Sequence, residues 1–120
     1  MDIEEHSRNG IKIIEVIPEN RMILTVDEGL DLLGNIYYQG FDRVILHEHT
    51  ITPMFFDLKT GIAGEILQKF SNYRVRLAIV GDFTKYQGKS IRDFIYESNK
   101  KKQINFVSSK EEALEILSHT

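Results

Sequence analysis

Two short apolar runs constrain this chain more than any other feature. RVILH (Arg43 to His47) and the stretch Val75 to Val80 flank TPMFFDLKTGIAGEILQKF, Thr52 to Phe70. In the middle segment Phe55, Leu58, Ile62, Ile66 and Phe70 recur at helical spacing, with Phe56, Ala63 and Leu67 alongside. Strand, crossover helix and strand form a βαβ unit, which requires a parallel sheet and a right-handed crossover. Thr52 and Pro53 are the helix start, as cap and first-turn proline. A short turn followed by a helix from Asp57 is equally compatible.

The rest of the chain extends this unit. IKIIEVI, Ile11 to Ile17, reads as a strand, and Asn9-Gly10 before it is a hairpin signal. The hairpin partner, around Ile3 to Ser7, is polar enough for an edge strand. Pro18 to Asn20 is a turn, and Met22 to Leu24 a short extended segment. Thr25 and Glu28 form a capping box for a helix to Tyr38, whose expected face is Leu30, Leu33 and Tyr37 with Ile36 beside them. Lys89 or Ser90 opens a helix to Asn99 packing on Ile91, Phe94 and Ile95. Ile104 to Val107 is a last strand, and Ser108 or Ser109 caps a final helix to Leu117. The expected fold is α/β: a hairpin feeding a mostly parallel sheet of four to five strands with helical crossovers, in one domain spanning 1–120.

Composition narrows the function classes. With 42% hydrophobic and 28% charged residues, the 120-residue chain can bury a core. It has no cysteine, which excludes disulfides, thiol chemistry and cysteine-zinc sites. A net charge of −3 argues against bulk attraction to nucleic acid or anionic membrane. MDIEEHSR is not a signal peptide, and no apolar run is long enough to span a bilayer, so a cytoplasmic location is expected.

Ligands in open α/β sheets bind beyond the C-terminal strand ends. That rule collects His47, Glu48, His49, Asp82 and Lys85 as candidate ligand-binding residues. His47 and His49 share a face if the strand continues that far, and with Glu48 or Asp82 they suggest a metal or small-molecule site. There is no G-x-S-x-G, no phosphate-binding glycine loop and no H-E-x-x-H. The sequence therefore assigns no catalytic residue, no metal ligand and no cofactor. Gly61 and Gly64 are expected to allow close packing on the sheet.

From Tyr37 to Asn99, YYQGFDRVILHEHTITPMFFDLKTGIAGEILQKFSNYRVRLAIVGDF followed by SIRDFIYESN resembles an uncharacterised family of small bacterial proteins, known only as a domain of unknown function. The order of elements is also similar to that of STAS domains, the anti-sigma-factor antagonists. Their helix opens D-S-S-G-L-G; here the corresponding run is Lys59-Thr60-Gly61-Ile62-Ala63-Gly64. The resemblance puts Thr60 in the place of the phosphorylated serine. Asp57 lies one position further upstream than the family's aspartate, and the entering loop HTITPMFFD is longer and more aromatic. What it implies is a non-enzymatic regulatory domain with a protein partner, docking on Phe55, Phe56, Asp57, Lys59, Thr60 and Gly61. Self-association into a homodimer through the hairpin edge is a further expectation; nucleic acid and membrane are not expected partners. The alternative is a small ligand- or metal-binding protein, or an enzyme, using His47, Glu48, His49 and Asp82 on the rim of the sheet.

Overall fold

The computed structural model describes residues 2–17 and 25–119. The expected turn at 18–20 and extended segment at 22–24 lie outside the described residues. Asn9 and Gly10 both take positive φ, 52° and 75°, and fold β1 (Ile3–Arg8) antiparallel onto β2 (Ile11–Val16). A two-residue turn of this kind matches the twist of the strands it joins. β3 (Arg43–His47), β4 (Arg76–Val80) and β5 (Ile104–Val107) then add in parallel, giving the order β1-β2-β3-β4-β5.

Each crossover thus steps one strand in the same direction. Right-handed crossovers of that kind place their helices on one face. α1 (Val26–Tyr38), α2 (Ile62–Asn72) and α3 (Lys89–Asn99) accordingly share one core with Val16, Val44, Leu46, Leu77, Ile79 and Phe106. The opposite face carries Ile13, Ile45, Ala78 and Val107, covered by Ala113, Leu114 and Leu117 of the short α4 (Lys110–Leu117). An eight-residue helix covers only part of a five-stranded face.

The helix caps follow the sequence. Thr25 Oγ1 accepts from the Glu28 amide at 3.1 Å. At α4, Ser109 is the cap, accepting from the Glu112 amide at 3.1 Å, while Glu112 accepts from the amide and hydroxyl of Ser108. The face of α1 differs from expectation. Gly29, Leu32, Leu33 and Ile36 are buried, and Tyr37 is 53% exposed. Gly29 lets Ile66 of α2 close in, since a Cβ there would meet Ile66 Cδ1 at 3.0 Å.

The stretch Thr52 to Phe70 also differs. It is not one helix: 3₁₀ turns at Pro53–Phe56 and Leu58–Thr60 precede α2, which begins at Ile62. Three side chains compete with the helix for its own amides. Thr52 accepts from the Met54 amide, Asp57 from Lys59 and Thr60 from Ile62. Local bonds of this sort offer the backbone an alternative to the helical ladder. Gly61 ends the last turn at φ +78°, which a residue with a Cβ rarely adopts. Gly64 is exposed with open space around it, so it does not serve close packing on the sheet.

Candidate functional site

Glu15 stands where the pattern of β2 calls for an apolar side chain. It shares a strand face with Ile11 and Ile13, and Ile13 is wholly buried. Yet Glu15 itself is only 3% exposed. The neighbouring strands supply what the missing helix cover does not. On β1, His6 Nε2 lies 2.9 Å from Glu15 Oε1. On β3, His47 Nε2 lies 2.6 Å from Oε2. From the first turn of α4, Lys110 Nζ reaches within 3.3 Å of Oε1. One carboxylate thus joins β1, β2, β3 and α4 at the C-terminal end of the parallel strands.

The protonation states follow from these contacts. Burial pushes the Glu15 carboxyl up, but the bonds from His47, His6 and Lys110 outweigh it and hold the group below the ordinary glutamate value. An ionised carboxylate only accepts hydrogen bonds, so each imidazole presents an N–H at Nε2. Charge-assisted bonds of this kind are short, as the 2.6 Å bond to His47 is. Glu4 lies directly opposite Glu15 in the β1–β2 register. One ligand atom from each of Glu4, His6 and Glu15 lies within 4.8 Å of the others.

The rim residues named from sequence are not one group. β3 ends at His47, and Glu48–Thr50 turns as a 3₁₀ helix. His47 and His49 therefore do not continue along one strand face. His47 faces Glu15, while His49 is exposed, its ring 5.8 Å from that of His47. Glu48 binds other partners. It accepts from the Tyr86 hydroxyl at 2.8 Å and pairs with Lys85 at 2.7 Å. Burial first, and then Glu48, raise the Tyr86 phenol beyond the ordinary tyrosine range. Gly81 makes room for this pair, since a Cβ there would sit 2.4 Å from Glu48 Cβ.

Asp82 is exposed and caps its own turn, accepting from the Thr84 hydroxyl at 2.6 Å and the Thr84 amide at 3.1 Å. The Thr84 hydroxyl, then its amide, hold the carboxyl below the ordinary aspartate value. The native state thus favours the ionised form. This contribution is complete above the unfolded value of about 3.9 and is lost as pH falls through the lower folded value. Wild type and Asp82→Asn, compared by urea unfolding from pH 6 down to pH 2, are expected to converge in acid. A gap that widens in acid would contradict the assignment.

Phe55 and Phe56 are 3% and 4% exposed and belong to the core, so neither lies on a docking surface. Their rings meet edge to face at 4.9 Å, and Phe56 stacks on Tyr86 at 4.4 Å. Asp57, Lys59 and Thr60 are exposed and Gly61 is half-buried, but the Asp57 carboxylate accepts from the Lys59 amide, and the Thr60 hydroxyl donates to the Asp57 carbonyl and accepts from the Ile62 amide. Sequence reasoning missed Glu15, His6 and Lys110. The available signal was a charge on the buried side of an otherwise apolar strand.

The geometry defines an α/β protein with a sequential five-stranded sheet and, at its rim, a buried glutamate bonded by two partly exposed histidines. Residues 8–117 match the family described as Domain of unknown function (DUF4180), and the chain belongs to that family. No curated protein and no solved structure matches it. No helix among the described residues is long and apolar enough to cross a membrane.

Proposed function

We propose that this chain is a cation-binding protein whose working centre is the Glu15 carboxylate. The observation that carries the reading is an ionised, buried carboxylate on an apolar strand face, approached by two imidazoles and an ammonium. A buried ionic cluster is a poor way to gain stability, because well-packed apolar residues of similar volume do as well or better. A carboxylate kept at such a position is better explained by something that it binds. The test is thermal unfolding of the whole protein against Zn²⁺, Mn²⁺, Ca²⁺ and Mg²⁺, beside Glu15→Gln. A ligand at one hundred times its dissociation constant stabilises by about 2.7 kcal/mol. The wild type is expected to gain such an increment from at least one cation and Glu15→Gln to gain none. Equal shifts in both proteins, or none in either, would overturn the reading.

A regulatory role at the entrance to α2, with the STAS-like topology that goes with it, is the second reading. What favours it is Thr60, whose exposed hydroxyl donates to the carbonyls of Met54 and Asp57, each at 2.9 Å. A phosphate adds roughly −1.5 to −2 charge and removes that donor, so modification here would remodel the turn. Pull-downs with Thr60→Glu and Thr60→Ser test it. The serine variant keeps the hydroxyl and is expected to keep every partner, while the glutamate variant loses at least one. Identical recoveries from both would sink this reading.

A further inference from the structure

We infer that the cation is a divalent transition metal, held by Glu4, His6 and Glu15 on the β1–β2 hairpin, and that Lys110 occupies its electrostatic place until it arrives. The inference rests on the cation-binding reading above and goes on to name the ligands, the metal class and the competitor.

The ligand set comes from two strands joined by a two-residue turn. Glu4 and His6 are two apart on β1 and so share its face, and Glu15 is the register partner of Glu4. Their ligand atoms already lie within 4.8 Å of one another. Two ligand atoms on a tetrahedral ion are about 3.4 Å apart when each bond is about 2.1 Å. From a separation of up to 4.8 Å, side-chain movement of about 1.4 Å or less closes the set to tetrahedral spacing, and Glu4, being exposed, has room to make it. A metal takes an unprotonated ring nitrogen, so the Nε2 proton that His6 donates to Glu15 is released or moves to Nδ1 where Nε2 is the ligand atom. One imidazole with two carboxylates is then a mixed nitrogen and oxygen donor set. It suits Zn²⁺, Co²⁺ or Mn²⁺, whereas Ca²⁺ requires six to eight oxygens and Mg²⁺ an oxygen octahedron. Three protein ligands leave positions open to water.

His47 stands outside this set. It holds Oε2 of Glu15, the oxygen that His6 does not use. That makes it a positioning residue, fixing the carboxylate so that Oε1 faces His6 and Glu4. Lys110 approaches the same Oε1, and its side chain is 44% exposed. A metal at Oε1 repels this ammonium, and the flexible stem lets it swing into solvent. Lys110 therefore weakens metal binding while it balances the charge of Glu15 in the metal's absence.

The experiment uses the whole protein and Co²⁺ as the probe, read by its visible absorption, with Zn²⁺ in competition and Mg²⁺ and Ca²⁺ as controls. Glu4 and Lys110 are exposed, so Glu4→Gln and Lys110→Met are expected to fold, which unfolding curves verify. The wild type is expected to bind one Co²⁺ that Zn²⁺ displaces. Glu4→Gln and His6→Gln are expected to bind at least tenfold more weakly. His47→Gln is expected to bind more weakly with the same spectrum, whereas a metal ligand lost would change it. Lys110→Met, relieved of a unit charge near the ion, is expected to bind roughly tenfold more tightly. Co²⁺ binding unchanged in Glu4→Gln and His6→Gln would overturn the ligand assignment, and unchanged affinity in Lys110→Met would overturn the competitor. A Glu15-dependent stabilisation by Mg²⁺ or Ca²⁺ without Co²⁺ uptake would end this inference and leave the cation-binding reading standing. No Glu15-dependent response to any cation ends both.

Discussion

Replacing Phe56 by alanine is expected to lower the stability of the protein by about 3–5 kcal/mol. The ring is 4% exposed and lies inside a continuous aromatic series, with Phe55 edge to face on it at 4.9 Å. It stacks on Tyr86 at 4.4 Å and reaches Phe83 at 5.9 Å. Phe83 meets Phe106 edge to face at 5.2 Å, and Phe106 meets Phe94 at 6.0 Å. The series ties the 3₁₀ entrance of α2 to the loop after β4, and through β5 to α3. Removing the Phe56 ring leaves a cavity beside Tyr86, whose hydroxyl donates to Glu48. Relaxation there would disturb a buried acceptor as well as the packing. The result is also a clear measure of place, since a surface substitution changes stability by about 0.5 kcal/mol or less. Lys59→Ala, in the same entrance but exposed, is the comparison and is expected to be nearly neutral. Equilibrium urea unfolding of the two variants decides the matter. A Phe56→Ala protein as stable as Lys59→Ala would put the ring on the surface after all.

Glu15→Ala is expected to cost about 3 kcal/mol, the lower end of what is lost when one member of a buried ionic group is removed. The lower end applies because the partners have some access to water. The His6 and His47 side chains are 17% and 14% exposed, and Lys110 is 44% exposed. Each imidazole loses its acceptor, and the β1–β2–β3 corner loses its common tie. Glu15→Leu should recover part of the loss, because the position belongs to the apolar face of β2 and leucine restores the buried volume. Unfolding curves for both variants give the difference directly. If alanine and leucine were both neutral, the imidazoles would have to be fully solvated, and Glu15 would not be tying them together.

Much of the architecture was legible because it is written locally. Asn9-Gly10 accounts for the hairpin, Thr25 and Ser109 for two helix starts, and the apolar runs for β3, β4 and β5. The entrance to α2 was misread for a reason equally local. Its apolar spacing favours a helix, but Thr52, Asp57 and Thr60 each take a backbone amide that the helix would need. Periodicity reports which residues face inward and is blind to such bonds. Phe55 and Phe56 illustrate the limit. Two adjacent aromatics cannot both face inward from one helix easily, but the 3₁₀ turn Pro53–Phe56 buries both.

The functional centre was not legible in the same way. His47 was visible as a polar residue at a strand end, while Glu15, His6 and Lys110 were unremarkable in their own segments. They meet only through the β1–β2 register, the parallel pairing of β2 with β3 and the return of α4 across the second face. By itself the sequence determined the elements and their α/β class, because strand runs, turn residues and caps act over a few positions. Only the tertiary structure decided which charges share a site, because crossovers in one direction left that face, among the described residues, to a single short helix. The carboxylate of Glu15 then had to find its partners on three other elements.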